Sequence, residues 1–135
     1  MSTSENPAAN ANEAETALRA LAHATRSIDD PRQIYAVLGS LGSAVAAFRQ
    51  SVHQLAAFHD GDGKTNRWVA DDAGPGRTSR HHVVWELHRV GEILGQVEES
   101  LAVAHSAESA VTYIHRDFPD FTRSQAQSVD HGVSL

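Results

Sequence analysis

The feature that most constrains the fold is residues 32–59, RQIYAVLGSLGSAVAAFRQSVHQLAAFH, a stretch with no acidic residue and only two arginines. Apolar residues recur there in alternating steps of four and three, at Ile34, Leu38, Leu41, Val45, Phe48, Val52 and Leu55. This heptad spacing predicts one long helix with an apolar seam along its whole length. A second row, Val37, Ala44, Ser51 and Phe58, widens the apolar stripe. We therefore expect this helix to be the centre of a bundle, covered on more than one side.

A second long helix is predicted after the Gly- and Asp-rich segment 60–78, which reads as a loop. Its apolar residues repeat the same spacing, at Val83, Leu87, Val90, Leu94, Val97, Leu101 and Ala104. In an antiparallel hairpin the residue numbers of facing pairs add up to a constant, and a sum of 142 aligns the two seams end to end. That register predicts that Phe48 and Leu94 are buried against each other. The helix is expected to end near His105 or to continue to about Asp117.

A shorter first helix is predicted over 12–28, with the stripe Ala14, Leu18, Leu21, Thr25 and Ile28. Asp30 is a good cap for the central helix and Pro31 suits its first position, so the connection is short and the first two helices are expected to run antiparallel. Residues 1–11 are predicted to be disordered and 118–135 to be a flexible tail, which leaves 12–117 as the bundle domain. The fold class predicted is therefore all-α, an antiparallel three-helix bundle.

The predicted first helix is long enough to cover only residues 34–48 and 94–108 of the hairpin. The half nearest the loop then has two helices, which cannot bury both stripes alone. The predicted partner-binding residues are the apolar side chains left there: Val52, Phe58, Val84 and Trp85. The alternative is that the loop folds back and Trp68 fills the same surface.

Glycines provide a separate expectation about how the helices pack. Gly91 and Gly95 lie one turn apart on the same helix, and Gly39 and Gly42 lie on the central helix. Because glycine has no side chain, we expect at least one of these four positions to be a close helix crossing.

Composition excludes several classes of function. The chain has no cysteine, which rules out disulfides and thiolate metal sites and fits the cytoplasm. Its net charge is −6 and its eleven basic residues are scattered, so no direct contact with nucleic acid is expected. No apolar run approaches the ~20 residues that span a bilayer, and no secretory signal is recognisable.

Nine histidines raise the question of a metal site. His53 and His88 fall on the same flank of the predicted hairpin. They are the two candidates for metal ligands. Diiron bundles, however, need several inward carboxylates and Glu-x-x-His pairs, and the chain has no such pair. GDGKT at 61–65 resembles the end of a phosphate-binding loop, but Phe58 stands where the motif needs glycine. We predict no metal, cofactor or catalytic residue, and no enzyme.

Four stretches, LRALAHATRSIDDP, YAVLGSL, HQLAAFHD and WELHRVGEILGQVEESL, resemble a family of small uncharacterised helical proteins from high-GC Gram-positive bacteria, often in mobile-element settings. The resemblance implies a bacterial, cytoplasmic protein and no activity.

These observations favour a non-enzymatic protein that forms a homodimer or binds another helical protein. The first alternative is a small-ligand or metal-binding bundle that uses His53 and His88. The second is a mobile-element accessory factor that acts through protein partners.

Overall fold

The computed structural model describes residues 6–60, 68, 71 and 73–116. They form three helices: α1 at Pro7–Ala24, α2 at Gln33–Asp60 and α3 at Pro75–Glu108. The two long helices α2 and α3 pack against each other as an antiparallel hairpin. The predicted fold class is thus confirmed, with an all-α chain, a short first helix and a long hairpin. The predicted tail 118–135 and the GDGKT segment lie outside the described residues.

Local sequence explains where the helices begin. At the start of α1 the side chain of Asn6 accepts a hydrogen bond of 3.1 Å from the Ala9 amide, and Pro7 occupies the first turn. Residues 7–11, which were predicted to be disordered, are therefore helical. At the start of α3, Gly74 has a φ of 56°, a conformation that favours glycine, and Pro75 follows it. This helix therefore begins inside the segment 60–78 that was predicted to be a loop.

The start of α2 is organised by Asp30, as predicted. Its carboxylate accepts hydrogen bonds from the backbone and the guanidinium of Arg32, at 2.9 to 3.0 Å. Hydrogen bonding to the Arg32 side chain lowers the pKa of Asp30. At the other end of the hairpin α3 stops at Glu108, and residues 111–116 have no regular structure, so the helix does not continue to Asp117. Tyr113 donates a hydrogen bond to the Glu108 carboxylate, which raises the pKa of the tyrosine.

The structure corrects the position of the first helix. No Cα atom of α1 lies within 8 Å of a Cα atom of α2 or α3. Accordingly Leu18, in the predicted stripe of α1, is 52% exposed. The helix ends at Ala24 rather than near Ile28, so eight residues, 25–32, connect it to α2. A connection of that length does not force α1 back against the hairpin in the way that a two-residue connection would.

The hairpin is held together on the flank that carries glycines. A Cβ atom placed on Gly91 would lie 3.0 Å from the His53 ring, and one on Gly39 would lie 3.0 Å from the His105 ring. On Gly95 it would lie 3.3 Å from the Arg49 guanidinium carbon. The prediction of a close crossing is confirmed at these three glycines, and Gly91 is itself buried. The residue numbers in each pair add up to 144, two more than the predicted register.

Polar contacts between the helices support this packing. His105 lies over Gly39 and stacks on the Tyr35 ring, with the two centroids 4.0 Å apart. Arg49 spans the hairpin to the Glu98 carboxylate at 3.2 Å. Near the loop, Arg80 donates a hydrogen bond of 3.2 Å to the His59 carbonyl in the last turn of α2. Cationic side chains suit the carbonyl end of a helix, so this bond ties α3 to the end of α2.

We expect substitutions of Gly91 and Gly42 to have opposite effects on stability. Leucine at Gly91 has to displace His53 and push the helices apart, and overpacking of this kind costs about 1 to 3 kcal/mol. Leucine at Gly42, where nothing lies within 4 Å of the added Cβ, should be neutral or gain up to about 1 kcal/mol of helix propensity. Denaturant unfolding followed by circular dichroism measures both. A Gly91→Leu variant as stable as Gly42→Leu would show that the helices do not meet at Gly91.

Candidate interaction surface

The exposed side of α2 is unusual because it carries almost no charge. Apart from histidine, the charged residues of Gln33–Asp60 are Arg49 and the terminal Asp60. Arg49 is half-buried and paired with Glu98, which leaves Asp60 as the one exposed charge of this kind on the helix. By contrast α3 exposes Arg77, Arg89, Glu92 and Glu99. Depletion of charge is typical of the centre of a protein interface, so the exposed side of α2 resembles a surface that a partner covers.

A row of six residues runs along this uncharged side at alternating steps of three and four: Leu41, Ala44, Phe48, Ser51, Leu55 and Phe58. We call it the α2 outer stripe. Phe48, Leu55 and Phe58 are 54%, 57% and 45% exposed, and Leu41 is half-buried. The spacing places all six residues on one face of the helix. The described residues therefore leave most of this row in contact with water.

The neighbouring flank of α3 extends the same surface. Val83, Ile93 and Val97 are 42%, 49% and 38% exposed. At roughly 100° per residue these three side chains lie on the side of α3 that is turned away from Gly91 and Gly95. The apolar face thus combines the α2 outer stripe with these three residues, and it spans most of the length of the hairpin.

This distribution corrects two predictions about the central seam. Phe48, which was predicted to be buried against Leu94, is more than half exposed, while Leu94 is half-buried. Leu55 was also expected inside the seam. The reason is the packing over the glycines: α2 places His53 and Arg49 over Gly91 and Gly95 of α3. This rotation buries Val52 and Ala56 of α2, which are 4% and 1% exposed. One partner helix cannot cover both that side and the wide apolar stripe.

The four predicted partner-binding residues are divided among different environments. Val52 is buried inside the hairpin, so its predicted exposure is wrong. Phe58 belongs to the α2 outer stripe, and Val84 is half-buried. Trp85 is 62% exposed, with the Arg89 guanidinium carbon 5.7 Å from the centroid of its ring. Because Trp85 follows Val83 by two residues, it points roughly 200° away from Val83 around α3 and does not share the apolar face.

Trp68 does not offer an internal cover for this surface. It was the alternative occupant predicted from the sequence, and its side chain is 78% exposed. The loop residues on either side of Trp68, including Val69, lie outside the described residues.

The histidines proposed as metal ligands have other surroundings. The His53 ring lies over Gly91, which gives it a packing role in the hairpin, and His88 is exposed. Within residues 6–60, 68, 71 and 73–116 there is no group of three or more His, Asp or Glu side chains placed to hold a metal ion. His82 and Glu86 approach each other to 3.6 Å, one turn apart on α3.

The opposite side of the hairpin carries a shallow polar groove. It is lined by Ala46, Arg49, Gln50, His53, Gln54, Ala57 and Glu98. The groove contains the Arg49–Glu98 ion pair, in which both side chains keep about a third or more of their surface exposed, at 43% and 32%. The two sides of the hairpin therefore differ in residue type: the groove has charged and amide side chains beside its alanines, whereas the apolar face has large apolar ones.

Comparisons of the chain with protein families, curated proteins and solved structures give no match. Among the described helices, none combines the length and hydrophobicity needed to cross a bilayer.

The contrast between Val52 and Leu55 can be measured directly. Val52→Ala removes methyl groups from a buried position and should cost about 1.5 to 3 kcal/mol. Leu55→Ala alters an exposed side chain and should cost less than about 1 kcal/mol, provided that the protein is dilute enough to be monomeric. Chemical unfolding of both variants, followed by tryptophan fluorescence, gives the two values. An equal or larger cost for Leu55→Ala under those conditions would show that the chain itself covers the α2 outer stripe.

Proposed function

We propose that this protein is a non-enzymatic helical interaction module, which binds a second helical surface through the apolar face of the α2–α3 hairpin. The observation that carries the proposal is the α2 outer stripe: three large apolar residues, about half exposed, on a side of the helix without a charged residue before Asp60. A helical partner suits this face because the stripe has heptad spacing, which matches the ridges of another helix.

The energy available favours a reversible complex. Six large side chains of the apolar face are about half exposed: Phe48, Leu55, Phe58, Val83, Ile93 and Val97. Full burial of such a side chain contributes about 1.5 to 3 kcal/mol, so completing the burial of these six contributes on the order of 4 to 9 kcal/mol, to which the partner adds its own share. Association costs of about 4 kcal/mol or more are subtracted from the total, whereas a micromolar dissociation constant requires a net gain of roughly 8 kcal/mol. We therefore expect reversible association at micromolar or higher protein concentration rather than a permanent complex.

The proposed contact surface differs from the one expected from sequence. It is no longer confined to the loop end of the hairpin, since α1 does not pack on the other half. Phe58 remains part of it, whereas Val52 and Trp85 are replaced by Phe48 and Leu55.

The remaining parts of the proposal concern the class of partner and the location in the cell. Net charge of −6 and scattered basic residues favour a protein partner over nucleic acid. The absence of cysteine and the resemblance to bacterial helical proteins support a cytoplasmic location. A role as a mobile-element accessory factor acting through protein partners rests on that resemblance alone.

Replacing Phe48 and Leu55 together by aspartate should abolish association. Two charges in the centre of the apolar face oppose burial, because neither would find a partner there. Multi-angle light scattering at about 100 µM, with and without lysate-derived or purified partners, measures the mass of the wild type and of the variant. We expect a wild-type mass above 14.5 kDa and a variant mass equal to it.

The matched control is Gln50→Asp/Ala57→Asp. It adds the same charge, at the same spacing of seven residues on the same helix, but in the polar groove. This variant should associate like the wild type. Equal loss of association in both variants would mean that charge or helix stability, not the apolar face, is responsible, and would contradict the proposal.

A further inference from the structure

We propose that the partner on the apolar face is a second copy of this chain, with the α2 helices of the two copies packed antiparallel along their outer stripes. This inference rests on the proposed function and specifies its partner and geometry.

The first support is that the α2 outer stripe is complementary to itself. When two copies of one helix cross a two-fold axis antiparallel, the residue numbers of facing positions add up to a constant. A sum of 99 pairs Leu41 with Phe58, Ala44 with Leu55 and Phe48 with Ser51. These three pairs use all six residues of the stripe. Two of them, Ala44 with Leu55 and Phe48 with Ser51, place a large side chain against a small one. A large residue facing a small one lets helices pack closely without voids.

The second support comes from α3, which was not used to choose that register. The two-fold axis passes between residues 49 and 50 of α2. Since residues in contact across the hairpin have numbers that add up to 144, the axis meets α3 between residues 94 and 95, next to Ile93. Ile93, 49% exposed, lies there on the apolar face. The same axis therefore brings the Ile93 side chains of the two copies together, and the hairpins meet face to face as a four-helix bundle.

The third support is the size of the face. The α2 outer stripe runs over 18 residues, 41–58, or about 27 Å at ~1.5 Å per residue, and two adjacent helices of ~10 Å diameter give a width of about 20 Å. The resulting area is roughly 540 Å² per copy, or about 1,100 Å² in total for two copies. That total reaches the ~1,000 Å² at the lower end of specific protein interfaces and suits a reversible dimer.

Cysteine cross-linking tests this geometry, because the chain has no cysteine of its own. The test variant is Ala44→Cys/Leu55→Cys. Its two cysteines lie eleven residues apart on one helix, about 16 Å, beyond the ~7 Å that a disulfide can bridge within a chain. Oxidation should convert most of the protein to a closed covalent dimer of about 29 kDa, twice the 14.5 kDa chain, on a non-reducing gel.

The matched control is Ala46→Cys/Ala57→Cys, which has the same eleven-residue separation but lies in the polar groove. It should cross-link at least about tenfold more slowly. Circular dichroism of both reduced variants checks that α2 is intact, and light scattering of the wild type at the same concentration gives its mass.

The outcomes separate this inference from the proposed function. A dimeric wild type whose groove variant cross-links as fast as the stripe variant would overturn the α2–α2 geometry and leave self-association standing. A ladder of covalent oligomers from the stripe variant would mean that the contact is not two-fold, and would also overturn it. A monomeric wild type that binds a different helical protein would remove the second copy as partner. A monomeric wild type that binds nothing would contradict the proposed function itself.

Discussion

The whole arrangement depends on how closely α2 and α3 approach each other over their glycines. At Gly91 and Gly95 the absence of a side chain admits the His53 ring and the Arg49 side chain of the opposite helix, and at Gly39 it admits the His105 ring. These three contacts fix both the register of the hairpin and the rotation of α2 about its own axis. They also give His53 and His105 a structural role, since each ring occupies the space that a side chain on the opposite glycine would otherwise fill.

The exposed apolar face follows from that rotation. With His53 and Arg49 turned toward the glycines of α3, α2 buries Val52 and Ala56 and leaves Phe48, Leu55 and Phe58 about half exposed to water. Two helices have too little surface to enclose a stripe that is wider than one helix contact. The first helix does not supply the missing cover, since none of its Cα atoms lies within 8 Å of the hairpin and a connection of eight residues does not force it back. Nothing else in the described part of the chain covers the face, and its lack of charge supports the proposal that a protein partner does so.

Sequence patterns predicted the long helices well and their relative rotation poorly. Heptad spacing placed the central helix at 32–59, within one residue of Gln33–Asp60, because seven apolar positions over three heptads leave little freedom for its ends. The starts of α1 and α3 were missed. They lie at Asn6-Pro7 and Gly74-Pro75, and glycine or proline between polar residues resembles a loop more than the first turn of a helix. The rotation was missed because heptad positions show which face is apolar but not which part of it meets the neighbouring helix. One signal was present: Gly39, Gly91 and Gly95 each face a large polar residue at a constant sum of 144.

The central claim is that association covers the apolar face and so stabilises the folded hairpin, and the concentration dependence of thermal unfolding tests it most directly. For a dimer that dissociates as it unfolds, each tenfold increase in protein concentration adds about 1.4 kcal/mol to stability. We predict that the unfolding midpoint of the wild type, followed by circular dichroism, rises by several degrees between about 1 and 100 µM. A midpoint that is the same across this range would show that the isolated chain is stable without covering its apolar face, and would contradict the account.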